Sequence, residues 1–179
     1  VHAHYIPNGV EVRIPESKKY LEQFNLTAGE YIVFVSRLIP HKNPHILIQA
    51  FQHMEDTYGK KLVIVGSGSH TEDYVDYLQT LAEDDSRIVF TGSQSGEPLY
   101  QLFAHAAAYV LPSSSEGLSI SLLEAGAYGL PVVISDIPEN TEIVQSYGYV
   151  AQVNDRESLT HQLEYLFSDY DTACEKGQL

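Results

Sequence analysis

The chain has 179 residues, of which 44% are hydrophobic and 19% charged, and its formal net charge at pH 7 is −14. This composition is typical of one folded domain with a sizeable core and excludes a disordered chain. Such an acidic protein is a poor electrostatic partner for nucleic acid or an anionic membrane. The single cysteine, Cys174, excludes an intrachain disulfide and fits a reducing, cytoplasmic compartment.

The apolar runs are short: the longest have about four to six residues, against the roughly 20 that a transmembrane helix needs. The sequence begins with Val1 rather than methionine, which favours an excised domain whose N-terminal partner is missing. We therefore expect any membrane contact of the full-length protein, peripheral and at the inner membrane face, to be made through that missing domain.

Residues 1–30 differ in character from the rest of the chain. They contain a turn at Pro7–Gly9 and a short helix between Pro15 and Phe24, and we expect them to form an entry linker and edge segment. Beyond them, five uninterrupted runs of β-branched and aromatic residues, and a weaker sixth, predict strands that are buried on both faces. These strands are Tyr31–Val35, Leu62–Val65, Ile88–Phe90, Tyr109–Leu111, Val132–Ile134 and, as the weaker sixth, Tyr149–Ala151.

Six helical patterns with recognisable start signals alternate with these strands. The first opens with Asn43 as a side-chain N-cap before proline and is stopped by Gly59; the others follow Thr71 and Ser95, cover residues 120–129, open at Pro138 and follow the cap Asp155. Strand and helix in alternation predict a single α/β domain over residues 31–179, with a Rossmann-like, doubly wound parallel sheet.

A ligand of such a sheet binds outside the carboxyl ends of the strands, where this chain concentrates small and polar residues. Gly66-Ser67-Gly68 follows a strand there, and backbone amides in such a turn can approach an anion. Threonine at position 71 replaces the third glycine of the Rossmann fingerprint, which disfavours an NAD site. A tight turn without a ligand is an equally good interpretation.

Two basic residues, Arg37 and Lys42, follow the first strand and suit two neighbouring phosphates. Their alternative interpretation is ordinary solvated surface charge. Their placement matters because basic residues are scarce: seven of the ten lie within the first 61 residues.

Glu116 and Glu124 are eight residues apart, which on one helix would separate them by ~80° and ~12 Å. A loop ending at Gly117, with a helix starting at residues 118–120, would instead let a diphosphate rest on free amides between the two carboxylates. The alternative is a capping box, Ser121 to Glu124, in which Glu124 only fixes the helix start. The residues alone favour the capping box.

Several motifs in order resemble the donor-binding, C-terminal half of group 1 glycosyltransferases, which are retaining enzymes of the two-domain GT-B architecture. The resemblance extends from about residue 6 to residue 168 and includes the family's pair of glutamates eight residues apart. The motifs are Phe34–Leu38 with Lys42, Leu62–Gly68, Val110–Ser113, Glu116–Gly117, Leu123–Ala125 and Gly129–Val133.

The resemblance implies a hexosyltransferase that uses a UDP- or GDP-sugar without a metal, in polysaccharide biosynthesis. It implies that Arg37 and Lys42 hold the diphosphate, that Glu116 contacts hydroxyls of the sugar, and that Glu124 binds the ribose. Further donor contacts are implied for Gly66, Gly68, Thr91, Gly92, Gly117, Leu118, Ser119 and Ile120. The pairs His2/His4 and His41/His45 lack a carboxylate or cysteine partner set, and no metal site is expected.

Three positions depart from the family pattern: Ser119 replaces a second glycine, Ala108 an acidic residue, and Asn43 a glycine. Serine disfavours positive φ, which puts the loop geometry at Ser119 in question. Two of these departures, Ser119 and Ala108, leave room for a non-catalytic regulatory or interaction module of the same fold. An epimerase or phosphorylase of the same architecture is a third, weaker reading.

Overall fold

Six parallel strands form one sheet in the computed structural model, which describes residues 9–15, 17–55, 57–68, 71–144 and 147–178. In chain order the strands are β1 (Tyr31–Val35), β2 (Lys61–Val65), β3 (Ile88–Gly92), β4 (Ala108–Leu111), β5 (Val132–Ser135) and β6 (Tyr149–Ala151). The helices are α1 (Lys19–Glu22), α2 (Pro44–His53), α3 (Glu72–Ala82), α4 (Glu97–Ala104), α5 (Ile120–Ala127), α6 (Pro138–Val144), α7 (Arg156–Ser168) and α8 (Tyr170–Gly177).

The strand order is β3-β2-β1-β4-β5-β6, with every neighbouring pair parallel. The order reverses between β1 and β4, which are in register at Ile32 opposite Ala108 and Val33 opposite Tyr109. The chain therefore leaves these two strands in opposite directions and opens a crevice at their carboxyl ends. The prediction of a doubly wound, Rossmann-like sheet is confirmed.

Helices cover both faces of the sheet, which explains why its central strands lack polar residues. Helix α2 packs against α3 and α7, whereas α4 contacts α1, and α5 contacts α6. All side chains of β4 and β5 are buried, as are the first four of β1. None of the described helices is both long and apolar enough to cross a bilayer.

The predicted strands are all present, including the weaker sixth, but two helix predictions were wrong in detail and one helix was not predicted. The helix expected within residues 15–24 is limited to α1, because only Leu21 of that helix is buried. Helix α2 ends at His53, and Gly59, with a φ of 68°, belongs to the following turn. Helix α8 was not predicted, since its polar sequence buries only Ala173 and Gly177.

Residues preceding β1 contribute to the core. Leu21 and Leu26 are buried, and the amide of Tyr20 donates to Oε1 of the fully buried Gln101 at 3.0 Å. Gln101 donates in turn to Ser17 Oγ and holds this segment on α4. The division between residues 1–30 and 31–179 stays a prediction, and Pro7 and Asn8 of the predicted turn lie outside the described residues.

Candidate functional site

The closest charged contact at the crevice joins Lys42 to Glu116, which are 74 residues apart in sequence. Lys42 ends a 3-10 turn after β1, Glu116 lies in the loop after β4, and the distance from Nζ to Oε2 is 2.6 Å. The side chains are 12% and 4% exposed, so both charges have lost most of their hydration. The second oxygen, Oε1, is buried without a partner among the described residues and remains an acceptor for a hydroxyl.

The loop that carries Glu116 is tied down at two consecutive residues before it. The carbonyl of Ser113 accepts from Ser135 Oγ, and Ser135 Oγ accepts from Nδ2 of the fully buried Asn140 at 3.2 Å. The amide of Ser114 donates to the carbonyl of His41 at 2.8 Å. These bonds join the loop after β4 to the loop after β1 and to the end of β5.

Asn43 does not cap α2, contrary to the sequence prediction. Its backbone is left-handed, with φ 55° and ψ 35°, and its side chain makes no hydrogen bond to the helix. Nδ2 donates instead to the carbonyl of Pro112 at 2.9 Å and to Oδ1 of Asn154 at 2.8 Å. Proline at the first position of the helix was predicted correctly.

Helix α5 begins at Ile120, with Ser119 as its N-cap: Ser119 Oγ accepts from the amide of Leu122 at 3.3 Å. Ser119 has a φ of −82°, which any residue adopts, so serine does not distort the loop. The amides of residues 117–120 donate to no group within the described part of the chain. They are available to an anion at the positive end of the helix dipole.

The capping box predicted from Ser121 to Glu124 is absent. Because Ser119 is the N-cap, Leu122 occupies the position where a capping box needs its acidic residue, and Glu124 lies in the second turn. Glu124 is half-buried, and this burial raises its pKa above the ordinary value. Its carboxylate is therefore not used to fix the start of the helix.

The hydroxyl of Tyr109 is close enough to both glutamates to be affected by their charges. It is hydrogen-bonded to Ser121 Oγ at 2.8 Å, and Ser121 Oγ lies 3.2 Å from Ser119 Oγ. Burial raises the pKa of Tyr109 far above its usual range, and the charges of Glu116 and Glu124 raise it further. Both carboxylates thus act on one hydroxyl beside the N-terminal end of α5.

Arg37 is exposed and lines a neighbouring cleft of about 130 Å³, and its guanidinium has no partner among the described residues. The same cleft is lined by Val35, Ser36, Val65, Gly66, Ser67, Ser93 and Gln94. No role was predicted from the sequence for Ser36, Ser93 or Gln94. Their position in the loops at the carboxyl ends of predicted strands was the signal that could have identified them.

Gly66 is required by the packing of two loops. A Cβ atom there would lie 1.9 Å from the carbonyl oxygen of Ser36, and the Gly66 amide already donates to Gly92 at 2.9 Å. At Gly68 a Cβ would lie 2.9 Å from Val75 Cγ2 and 3.0 Å from Thr71 Oγ1. The tight-turn interpretation therefore accounts for both glycines, and a donor contact at either stays a prediction.

The end of β3 is exposed. Gly92 has a φ of 69° with open space around it, and the carbonyl of Thr91 accepts from Gln94 Nε2 at 2.7 Å. The donor contacts implied for Thr91 and Gly92 therefore stay predictions. Within the described ranges there is also no group of three or more His, Cys, Asp or Glu residues that could hold a metal ion.

The family model for glycosyl transferases group 1 matches residues 17–176. The chain belongs to this family. A curated relative, O-antigen chain mannosyltransferase B from Escherichia coli, is 31% identical over 168 residues, which are 92% of this chain and 43% of the relative. This group 1 glycosyltransferase chain thus spans less than half of that relative.

Two solved structures share the fold. HepE from Anabaena, in complex with UDP and glucose, has a TM-score of 0.80 at 23% identity, covering 89% of this chain and 44% of HepE. The C-terminal domain of the group 1 glycosyl transferase LpcC from Francisella tularensis has a TM-score of 0.79 at 16% identity, covering 93% and 90%. The fold is therefore that of a GT-B glycosyltransferase domain.

Proposed function

We propose that this chain is the nucleotide-sugar donor-binding domain of a retaining glycosyltransferase that transfers a sugar to a glycan or lipid-linked acceptor. The observation that carries the proposal is the buried Lys42–Glu116 pair, whose Glu116 Oε1 has no partner among the described residues, beside the amides of α5 that donate to none of these residues. A buried acceptor, a cation and a helix N-terminus together suit a ligand with hydroxyl groups and phosphates.

In this proposal each group has one task. The amides of residues 117–120 and the ammonium of Lys42 bind the diphosphate, and Arg37 approaches it from the adjacent cleft. Glu116 accepts a hydrogen bond from a sugar hydroxyl through Oε1, and Glu124 accepts from the ribose. Glu124 takes no part in capping α5, so its carboxylate is available for that role.

The reaction that the family resemblance implies is a substitution with retention. The bond between the anomeric carbon and the diphosphate oxygen breaks, and the acceptor hydroxyl adds to the same face of the sugar. The donor phosphate takes the proton of that hydroxyl. Lys42, Arg37 and the amides of α5 stabilise the negative charge that develops on the departing diphosphate.

The full-length enzyme is proposed to act on the cytoplasmic side of the membrane in surface-polysaccharide synthesis, and the resemblance to an O-antigen mannosyltransferase supports the role in polysaccharide synthesis. The acceptor is proposed to bind to an N-terminal domain outside this chain. This chain is therefore expected to bind nucleoside diphosphates without appreciable transfer. UDP is the first probe to use, because HepE is in complex with UDP and glucose.

The test is calorimetric titration of the chain with UDP and with GDP. We expect binding of one of them, and Glu124→Ala should weaken that binding more than it lowers the melting temperature. A folded chain that binds neither nucleotide contradicts the proposal. Unchanged affinity in Glu124→Ala, with a lowered melting temperature, would contradict the role of Glu124.

A further inference from the structure

We infer that Asn43 is a positioning residue: its side chain sets the distance between Lys42 and the loop that carries Glu116. Asn43 follows Lys42 directly, and its amide donates to Pro112, the first residue after β4. The consequence for ligand binding rests on the proposed function, whereas the geometric part does not.

The backbone of Asn43 is unfavourable for most residues. Its φ of 55° is left-handed, and Pro44 follows, although a residue before proline is normally pushed toward extended conformations. Such a conformation persists where the surroundings hold it in place. Glycine would satisfy this backbone and asparagine tolerates it, but only asparagine adds a side chain with two donor hydrogens.

Both of those hydrogens are used, and Asn43 is only 4% exposed. One is donated to the carbonyl of Pro112 at 2.9 Å and the other to Oδ1 of Asn154 at 2.8 Å. Asn154 lies in the turn before α7 and is also left-handed, with φ 59°. A single buried amide therefore joins the loops after β1, β4 and β6.

The ion pair depends on this arrangement because its two members share no strand, helix or turn. Lys42 lies one residue before Asn43, and Glu116 lies four residues after Pro112. The contact of 2.6 Å between Nζ and Oε2 is short even for a charge-assisted hydrogen bond, so a shift of either loop would have to be taken up by the two side chains. Without the Asn43 hydrogen bonds, the bond from the Ser114 amide to the His41 carbonyl would still join the two loops, but the alignment of Lys42 with Glu116 would weaken.

The variant Asn43→Gly keeps the left-handed backbone and removes the side-chain donors, so the fold should be retained. Gln52→Ala is the matched control: Gln52 lies on α2, the helix that Asn43 precedes, and its side-chain amide donates to the Leu81 carbonyl at 3.0 Å, away from the site. Asn154→Gly is a second test, because it removes one of the two bonds and leaves the bond to Pro112.

The direct readout is the ammonium signal of Lys42 in the NMR spectrum of the chain, assigned by its loss in Lys42→Met. We expect a slowly exchanging signal in the wild type and in Gln52→Ala, and its loss in Asn43→Gly. The dissociation constant for UDP or GDP should rise about tenfold in Asn43→Gly, less in Asn154→Gly, and not at all in Gln52→Ala.

An Asn43→Gly chain that keeps the Lys42 signal and the wild-type affinity, while only its melting temperature falls, would overturn the inference. An equal loss of affinity in Gln52→Ala would do the same. If the wild type binds neither nucleotide, the proposed function fails, but the ammonium signal still tests the role of Asn43.

Discussion

Replacing Lys42 with methionine tests the Lys42–Glu116 pair directly. The substitution keeps most of the side-chain volume and leaves the carboxylate of Glu116, which is 4% exposed, without its cation. Removing one member of a buried pair costs about 3–5 kcal/mol, and we expect about 3 kcal/mol because Lys42 retains 12% exposure. For a domain of this size the melting temperature should fall by about 6–12 °C.

Replacing Glu116, the other member of the pair, is expected to destabilise the protein less than replacing Lys42. Glu116→Gln keeps an oxygen that accepts from Lys42, and the ammonium can still reach some water, so we expect a loss of about 1–2 kcal/mol. In the double variant no unpaired charge remains, and it should be no less stable than Lys42→Met alone. The loss of stability in the double variant should therefore be smaller than the sum of the losses in the two single variants.

The measurement is urea unfolding of the wild type, both single variants and the double variant at pH 7 and fixed salt. Lys61→Met is the control, because Lys61 donates to the Asn25 carbonyl at the surface and should lose less than about 0.5 kcal/mol. Additive losses, or a loss below about 1 kcal/mol in Lys42→Met, would refute the buried pair.

Three further predictions follow from single contacts. Ser119→Ala should cost about 1 kcal/mol in the free energy of unfolding, and Ser119→Gly only a few tenths of a kcal/mol, because both variants lose the bond to the helix amide but glycine is itself a favourable N-cap residue. Gly66→Ala should cost more than about 4 kcal/mol or prevent folding, since its Cβ would collide with the Ser36 carbonyl. The Nδ1 atom of His45 is hydrogen-bonded to the Tyr74 hydroxyl at 2.7 Å, and burial lowers the pKa of His45 below 6.5. Below pH 6.5 the unfolded chain therefore binds a proton at His45 more readily than the folded chain does. The free energy of unfolding should fall from pH 7 to pH 5, and it should fall less steeply in His45→Asn than in the wild type.

Unfolding curves in urea check all three, and each has its own contrary result. Equal stability of Ser119→Ala and Ser119→Gly would argue against the cap. Gly92→Ala is the control for Gly66, because Gly92 has a positive φ but open space, so only a backbone cost of about 1 kcal/mol is expected. Parallel pH profiles of the wild type and His45→Asn would contradict the role of His45.

The fold could be predicted from the sequence because the sheet is parallel and buried on both faces. Apolar runs such as Tyr31–Val35 then carry no polar interruption, and the signal is local. Asp155 was also predicted correctly as a cap, since its side chain accepts from the amide of Ser158 at 2.9 Å. Local chemistry decides both features.

Features that depend on distant contacts could not be predicted. Asn43 has the sequence signature of an N-cap, but its left-handed backbone turns its amide toward Pro112. Thr71 occupies the cap position of α3, yet its side chain makes no cap bond there and donates to the Leu38 carbonyl at 3.0 Å. The contact between Lys42 and Glu116 requires β1 and β4 to be neighbours, which no local pattern specifies.

The ion pair joins two halves of the chain, because Lys42 follows β1 and Glu116 follows β4. The half from β1 to α4 carries Lys42, and the half from β4 to α8 carries Glu116, so neither polypeptide piece holds both charges. A chain cleaved between α4 and β4 would thus form the pair only by complementation of its fragments. Formation of the ion pair would report that β1 and β4 have paired at the centre of the sheet.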